Sequence, residues 1–295
     1  MQRVVLLLAV LLLSGCSAST SAVEDGRIRV VASTDVWGDV VEQVGGSAVQ
    51  VDSLIDDPSR DPHDFQADAR DQLAVSRARL VVVNGGGYDD FLTQLLRNAP
   101  VATVRVDAAA VSGADGSPST GEFDEHLWYD VPAVSEVAGR IAQELTRIDP
   151  TRKATFASGL RRFRARLSGL ERTEAEIRRT AKGEGVAITE PVPLAMTAAL
   201  GLVNRTPPAF STAVEDGDDV APALLRQQLA LLAGRRVAVL AYNEQTAGAT
   251  TEQVLAAAKA AGVPVVGVRE TLPEGKDYVA WMQQDLAALR AAVRR

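Results

Sequence analysis

Cysteine and histidine are the scarcest chemistry-bearing residues in this 295-residue chain, with one of the first, Cys16, and two of the second, His63 and His126. One cysteine rules out an intrachain disulfide, and its place at the end of the N-terminal apolar run leaves the body of the chain no thiolate for a metal or a catalytic site. Basic charge is also short: the formal net charge of −7 gives no footprint for nucleic-acid binding. Beyond the first thirteen residues no apolar run approaches the roughly 20 residues that cross a bilayer. Neither a His-Glu-x-x-His helix nor a Gly-x-Ser-x-Gly elbow occurs, which removes two common hydrolase signatures. Asn84-Gly85-Gly86-Gly87 lacks the lysine and serine of a phosphate-binding loop.

What is present begins with a leader. Met1-Gln2-Arg3 is a short basic head, Val4 to Leu13 is unbroken apolar sequence, and Leu13-Ser14-Gly15-Cys16 closes it with small residues. The tetrapeptide resembles a bacterial lipobox, so residues 1–15 are expected to be a lipoprotein signal peptide and Cys16 the lipidated residue. The small, polar residues 16–26 read as a flexible tether. Attachment to the membrane is then through lipid alone, on the extracytoplasmic side.

About 280 residues follow the leader, enough for two domains. Strand and helix patterns alternate in two blocks. In the first, strands are expected at Ile28 to Ala32, Val49 to Ile55, Leu80 to Val83 and Val101 to Val106. Helices are expected from Thr34 or Asp35 to Val44, from Ala67 to Ser76 and from Asp89 to Arg97. Ala109 to Gly121 reads as a mobile surface loop. Two helical stretches follow, Val134 to Ile148 and Thr151 to Ala181, separated by Asp149-Pro150. In the second stretch Phe156, Leu160, Phe163, Leu167, Leu170 and Ile177 recur at helical spacing among arginines and glutamates. The second block repeats the alternation, with strands at Val186 to Thr189, Val237 to Ala241 and Val265 to Val268. Its helices are Val192 to Leu200, Ala221 to Ala233, Thr250 to Ala261 and Val279 to Val293.

The fold class expected is therefore α/β: two lobes, each with a mainly parallel sheet flanked by helices, joined by a long rigid α-helix. Residues 27–149 form the N-terminal lobe, 150–182 the joining helix and 183–295 the C-terminal lobe. His63, Glu190 and Glu270 follow strands, and His126 lies beyond the first lobe's last strand, so two candidate ligands come from each half. Ligands of parallel sheets collect at strand carboxyl ends. Two imidazoles with two carboxylates suit zinc or manganese and do not suit copper(I).

The order of these features resembles the solute-binding lipoproteins of zinc and manganese ABC transporters. The matching pieces are Val30-Val31-Ala32-Ser33-Thr34, Asp61-Pro62-His63-Asp64-Phe65, Asn84-Gly85-Gly86-Gly87-Tyr88, His126-Leu127-Trp128-Tyr129-Asp130, Ile188-Thr189-Glu190-Pro191 and Glu270 in Arg269-Glu270-Thr271. The resemblance implies that His63, His126, Glu190 and Glu270 hold a divalent ion in the interlobe cleft. It also implies a monomeric, lipid-anchored protein that carries no cofactor and delivers its cargo to an ABC permease without performing chemistry on it. Two features depart from the family pattern. Ala109 to Gly121 contains none of the histidines found in the long loop of many zinc-selective members, and the fourth ligand position is glutamate where aspartate is usual. Zinc against manganese stays open, with zinc slightly ahead because it binds the same donors more tightly. Two other classes fit the residues alone: a secreted zinc hydrolase using His63, His126 and one carboxylate, and an adhesin-like lipoprotein with a structural metal.

Overall fold

The computed structural model describes residues 26–59, 61–113 and 124–294. The expected signal peptide, Cys16 and nearly all of the tether lie outside the described residues, as does the second half of the expected loop Ala109 to Gly121. Among the described residues no helix is long and apolar enough to cross a membrane.

The first sheet is built from β1 (Ile28–Thr34), α1 (Asp35–Gly45), β2 (Val49–Ile55), α2 (Ala69–Arg77), β3 (Leu80–Val83), α3 (Asp90–Leu96) and β4 (Val104–Asp107). Two helices then lead out of it, α4 (Ala108–Ser112) and α5 (Val131–Ile148), and the 29-residue α6 (Lys153–Ala181) follows. The second sheet is built from β5 (Gly185–Ile188), α7 (Leu194–Ala199), β6 (Val203–Asn204), α8 (Pro208–Glu215), α9 (Pro222–Ala233), β7 (Val239–Asn243), α10 (Ala249–Ala261) and β8 (Val265–Val268), and α11 (Tyr278–Val293) closes the chain. Every strand pairing is parallel, and the orders β2-β1-β3-β4 and β6-β5-β7-β8 describe one topology used twice. In each sheet the chain direction across the strands reverses beside the first strand, leaving a crevice at the carboxyl ends there.

Burial on both faces explains why the central strands are continuous apolar runs. In the first sheet Val30, Ala32, Leu80 and Val82 face one cluster, while Val31, Val81 and Val83 face a smaller one under α2 and α3. The larger cluster continues through α6 and α11 to Val186, Ile188, Val239, Ala241, Val266 and Val268 of the second sheet, so both lobes share it. The buried stripe of α6 is Phe156, Gly159, Phe163, Leu167, Leu170, Glu174, Ile177 and Ala181. Glycine at 159 lets α6 press against α1, since a Cβ there would stand 2.1 Å from the Val44 carbonyl oxygen. At a rise of 1.5 Å per residue α6 is about 44 Å long.

Several boundaries differ from expectation for identifiable reasons. The segment read as starting a loop at Ala109 instead opens with α4, whose run of alanines is strongly helix-forming and whose N-terminus is capped by Asp107 accepting from the Ala110 amide at 3.1 Å. β4 starts at Val104 because Pro100–Thr103 closes a turn, leaving Val101 fully exposed. Pro191 and Pro193 delay α7 to Leu194. β7 runs to Asn243, two residues past the expected end at Ala241. β6 and α8 were not expected at all.

Candidate metal centre

His63 occupies a single 3-10 turn, Pro62–Asp64, that follows β2. Asp61 caps that turn by accepting from the His63 amide at 2.9 Å, which turns the imidazole toward the cleft. His126 immediately precedes another such turn, Leu127–Tyr129. Asp124 accepts from the His126 amide at 3.0 Å and pairs with its Nδ1 at 3.0 Å, which fixes the ring and leaves Nε2 facing Glu215 and Glu270. The ring is 1% exposed, and its Nε2 has no hydrogen-bond partner among the described residues. That atom lies 3.5 Å from Glu215 Oε1 and 3.8 Å from Glu270 Oε2.

Glu270 leaves the end of β8 and is fully buried. Its Oε2 accepts from the Tyr88 hydroxyl at 3.1 Å and stands 3.5 Å from His63 Nε2, while its Oε1 accepts from Asn243 Nδ2 at 2.9 Å. The same amide donates to Glu190 Oε2 at 2.5 Å, and Thr246 donates its hydroxyl to Glu190 Oε1. Glu190 and Asn243 therefore flank the crevice between β5 and β7, joined through one amide to Glu270. His63 Nε2 also lies 3.6 Å from Glu125 Oε1.

Two groups of donor atoms converge within 4.8 Å: His63, Glu125, His126 and Glu215, and Asp61, His63 and Glu270. Of the four expected ligands, His63, His126 and Glu270 thus meet around one space. Glu190 sits beside it on Asn243 and belongs to neither group. The nitrogen-to-oxygen separations of 3.5–3.8 Å are too long for hydrogen bonds. They approach the roughly 3.4 Å that separates ligands held tetrahedrally at about 2.1 Å from one ion.

Burial and crowding set the electrostatics. Burial alone would lower the His63 pKa, but its contact with Glu270 and the charges of Glu270, Glu125 and Asp61 outweigh this and push it up to about 9. His126 behaves alike: burial opposes, while Asp124, Glu270 and Glu215 raise it to about 9. Glu270 moves the other way, its burial outweighed by His63, His126 and Tyr88, so it stays charged. Burial raises Glu190 to about 7 against the hydrogen bonds from Thr246 and Asn243. Burial also raises Glu215 to about 7 despite the two imidazoles. Without a metal the crowded carboxylates are thus offset by protons on the imidazoles and on the raised acids, protons that a bound metal ion would displace.

Sequence reasoning missed Glu125, Glu215, Tyr88 and Asn243. Glu125 directly precedes His126 but reads from sequence as a flanking charge. Glu215 ends α8, whose signal was Pro208 at a helix start followed by Phe210 and Val214 four apart. The Asn84 turn proves to be a positioning device. Trp37 donates to the Asn84 Oδ1 at 3.0 Å, Asn84 Nδ2 donates to the Glu125 carbonyl at 2.9 Å, and Asp89 accepts from the Asn84 and Gly85 amides. Gly85 has φ +79°, and a Cβ there would stand 2.2 Å from Asp107 Oδ1.

The sequence model of the family described as "ZnuA: Zinc-uptake complex component A periplasmic" matches residues 30–292. The metal ABC transporter substrate-binding lipoprotein ScbA of Streptococcus cristatus is 28% identical over 184 residues, 59% of this chain and 59% of its own length. The manganese ABC transporter substrate-binding lipoprotein scaA of Streptococcus gordonii is 27% identical over 184 residues, again 59% of each. The chain thus spans about 59% of the length of these curated relatives. In three dimensions it resembles the periplasmic zinc binding protein TroA from Treponema pallidum, with a TM-score of 0.76 at 19% identity over 92% of this chain and 100% of that one.

Proposed function

The chain belongs to the ZnuA family of zinc-uptake components, a family of binding proteins and not of enzymes, and from that premise we propose that it captures a divalent transition metal between its lobes and hands it to an ABC permease. The ion is cargo, bound and released unchanged. His63, His126, Glu190 and Glu270 are the ligands of the loaded state, with two nitrogens from the first half of the chain and two carboxylates from the second. Cys16 carries a lipid that holds the monomeric protein on the extracytoplasmic face of the membrane.

The observation that carries this reading is the buried Nε2 of His126, aimed at the carboxylates of Glu215 and Glu270 and left without a hydrogen bond among the described residues. A buried polar atom left in this way is costly unless something binds it, and its neighbours are those of a metal ligand. Nitrogen and carboxylate donors in this number fit zinc, which the Irving–Williams order favours. The surplus of carboxylates also admits the higher coordination of manganese, so both remain candidate cargoes. Acid weakens binding under this reading, because each imidazole must shed its proton to ligate and both are pushed up to about 9.

The test is titration of chelator-stripped protein with zinc or manganese in competition with a chromophoric chelator. Sub-micromolar affinity is expected, with His63→Ala and His126→Ala each raising Kd by more than about 100-fold, beyond the loss of an outer-shell partner. No binding at micromolar metal, or unchanged binding in both variants, would sink the proposal.

A further inference from the structure

The two convergent donor groups differ in depth. An open cleft of about 1100 Å³ between the lobes is lined by Asp61, His63, Glu125 and Glu215. Neither Glu190, Glu270 nor His126 lines it; Glu270 is 0% and His126 1% exposed, against side-chain exposures of 21% for Glu125 and 16% for Glu215. An ion entering through this cleft meets Glu125 and Glu215 on its wall, with Glu270 buried behind them. Both imidazoles face both levels. His63 Nε2 is 3.6 Å from Glu125 and 3.5 Å from Glu270, and His126 Nε2 is 3.5 Å from Glu215 and 3.8 Å from Glu270.

We infer that Glu125 and Glu215 form an outer carboxylate pair which, with His63 and His126, takes the incoming divalent ion before Glu190 and Glu270 do. This rests on the metal-capture reading and adds a second coordination station to it. The independent sign of a ligand here, beyond the acidic residues themselves, is His126 Nε2: it is buried and has no hydrogen-bond partner among the described residues, and its nearest carboxylate oxygen among these contacts is that of Glu215. The four outer donors lie mutually within 4.8 Å, close enough to share an ion, and those of Glu125 and Glu215 come from different lobes. Once the ion is held by both imidazoles, exchanging the outer carboxylates for the inner ones moves it only a few ångströms. Neither nitrogen has to let go, and release to a partner runs the same steps in reverse. A step-wise exchange of ligands keeps the ion coordinated throughout, so it never has to pass bare through the low-dielectric interior.

The experiment follows zinc and manganese uptake by stopped flow, and release to an excess of chelator, in Glu125→Gln, Glu215→Gln and the double variant. It is run at 0.5 M salt, where the Debye length is about 4 Å and long-range steering is screened. Glutamine preserves side-chain shape, and thermal melts verify folding. The double variant is expected to take up and release metal at least tenfold more slowly, both rates falling by a larger factor than Kd changes, because a way-station acts on both rates. Glu190→Gln and Glu270→Gln are expected to raise Kd instead. Unchanged rates in the double variant would overturn the outer station while leaving metal capture intact. So would a rise in Kd as large as that of Glu270→Gln, which would make the outer pair final ligands. If His63→Ala and His126→Ala also bind as the parent does, the metal-capture reading itself fails.

Discussion

At the scale of single residues, Asn243 does for the carboxylates what Asp124 does for His126. Its one amide group spans Glu190 Oε2 at 2.5 Å and Glu270 Oε1 at 2.9 Å, while its backbone amide donates to Thr189 Oγ1 at 2.9 Å. Two acidic side chains that repel each other in the metal-free protein are thereby held to a common donor, with an oxygen of Glu270 left facing the imidazoles. Partners of this kind typically govern 10–100-fold in metal affinity. Asn243→Ala is accordingly expected to weaken binding by about that factor, measured by chelator competition, with thermal melts showing the fold retained; a change below threefold would mean the carboxylates orient without it. The two histidines stand out in the sequence by their scarcity, whereas Glu190 and Glu270 are singled out only by the family resemblance, since strand-end carboxylates are common. Asn243 was not legible: ending β7 at Ala241 left it in a loop, and a two-residue shift in a strand's end keeps the alternation of faces that the pattern reveals. Glu215 was hidden with its helix.

At the scale of elements, the long helix carries an anomaly on its buried stripe. Glu174 is 7% exposed, and its Oε1 has no hydrogen-bond partner among the described residues. Burial first, then the charges of Glu171 and Asp130, raise its pKa from 4.5 to about 7. An acid raised in this way favours its neutral form in the folded state. Its contribution to stability is fully present below pH 4.5 and is lost as pH rises through about 7. At about 1.4 kcal/mol per unit, the ionised side chain costs the fold about 3 kcal/mol above that range. Glu174→Gln is thus expected to stabilise the protein by about 1–3 kcal/mol at pH 8 and to be near neutral at pH 4.5, read from urea unfolding at the two pH values. An equal gain at both would show that the carboxyl does not titrate with folding. The helix itself was readable because its apolar positions recur at helical spacing over eight turns. The same pattern could not announce α8, only eight residues long between Pro207 and Gly217, nor separate the alanines of α4 from a loop.

At the scale of the molecule, the segment carrying Glu270 belongs to the second half of the chain but is fastened to the first. Arg269 Nη1 donates to the Pro58 carbonyl at 2.8 Å, and the Leu272 amide donates to both Asp35 oxygens at 3.1 Å. The Tyr278 amide donates to Asp39 at 3.0 Å, and its hydroxyl donates to the Trp128 carbonyl at 2.8 Å. Asp277 receives Arg166 of α6 in a two-pronged contact at 2.9 and 2.8 Å. Swinging the lobes apart would break these contacts, each worth about 1 kcal/mol net, and would also split the apolar cluster that runs unbroken beneath both sheets. The two lobes therefore act as one body on which a ligand-bearing strap is tied down. The sheets are held by the shared apolar cluster as well as by hydrogen bonds, and the strap mainly by hydrogen bonds, so loading and unloading are expected to displace residues 269–278 while the two sheets keep their mutual orientation, with Cα shifts of about 1 Å or less outside the strap. Paired crystal structures of metal-free and loaded protein test the geometry, and hydrogen exchange tests the energetics: Asp35→Ala with Asp39→Ala should speed amide exchange in 269–278 and leave β1, β3, β5 and β7 protected. A lobe rotation approaching the roughly 15° known for subunits repacking about an interface would contradict this account. So would exchange that rises equally in strap and sheets, because the strap would then have no independent motion with which to admit or release an ion.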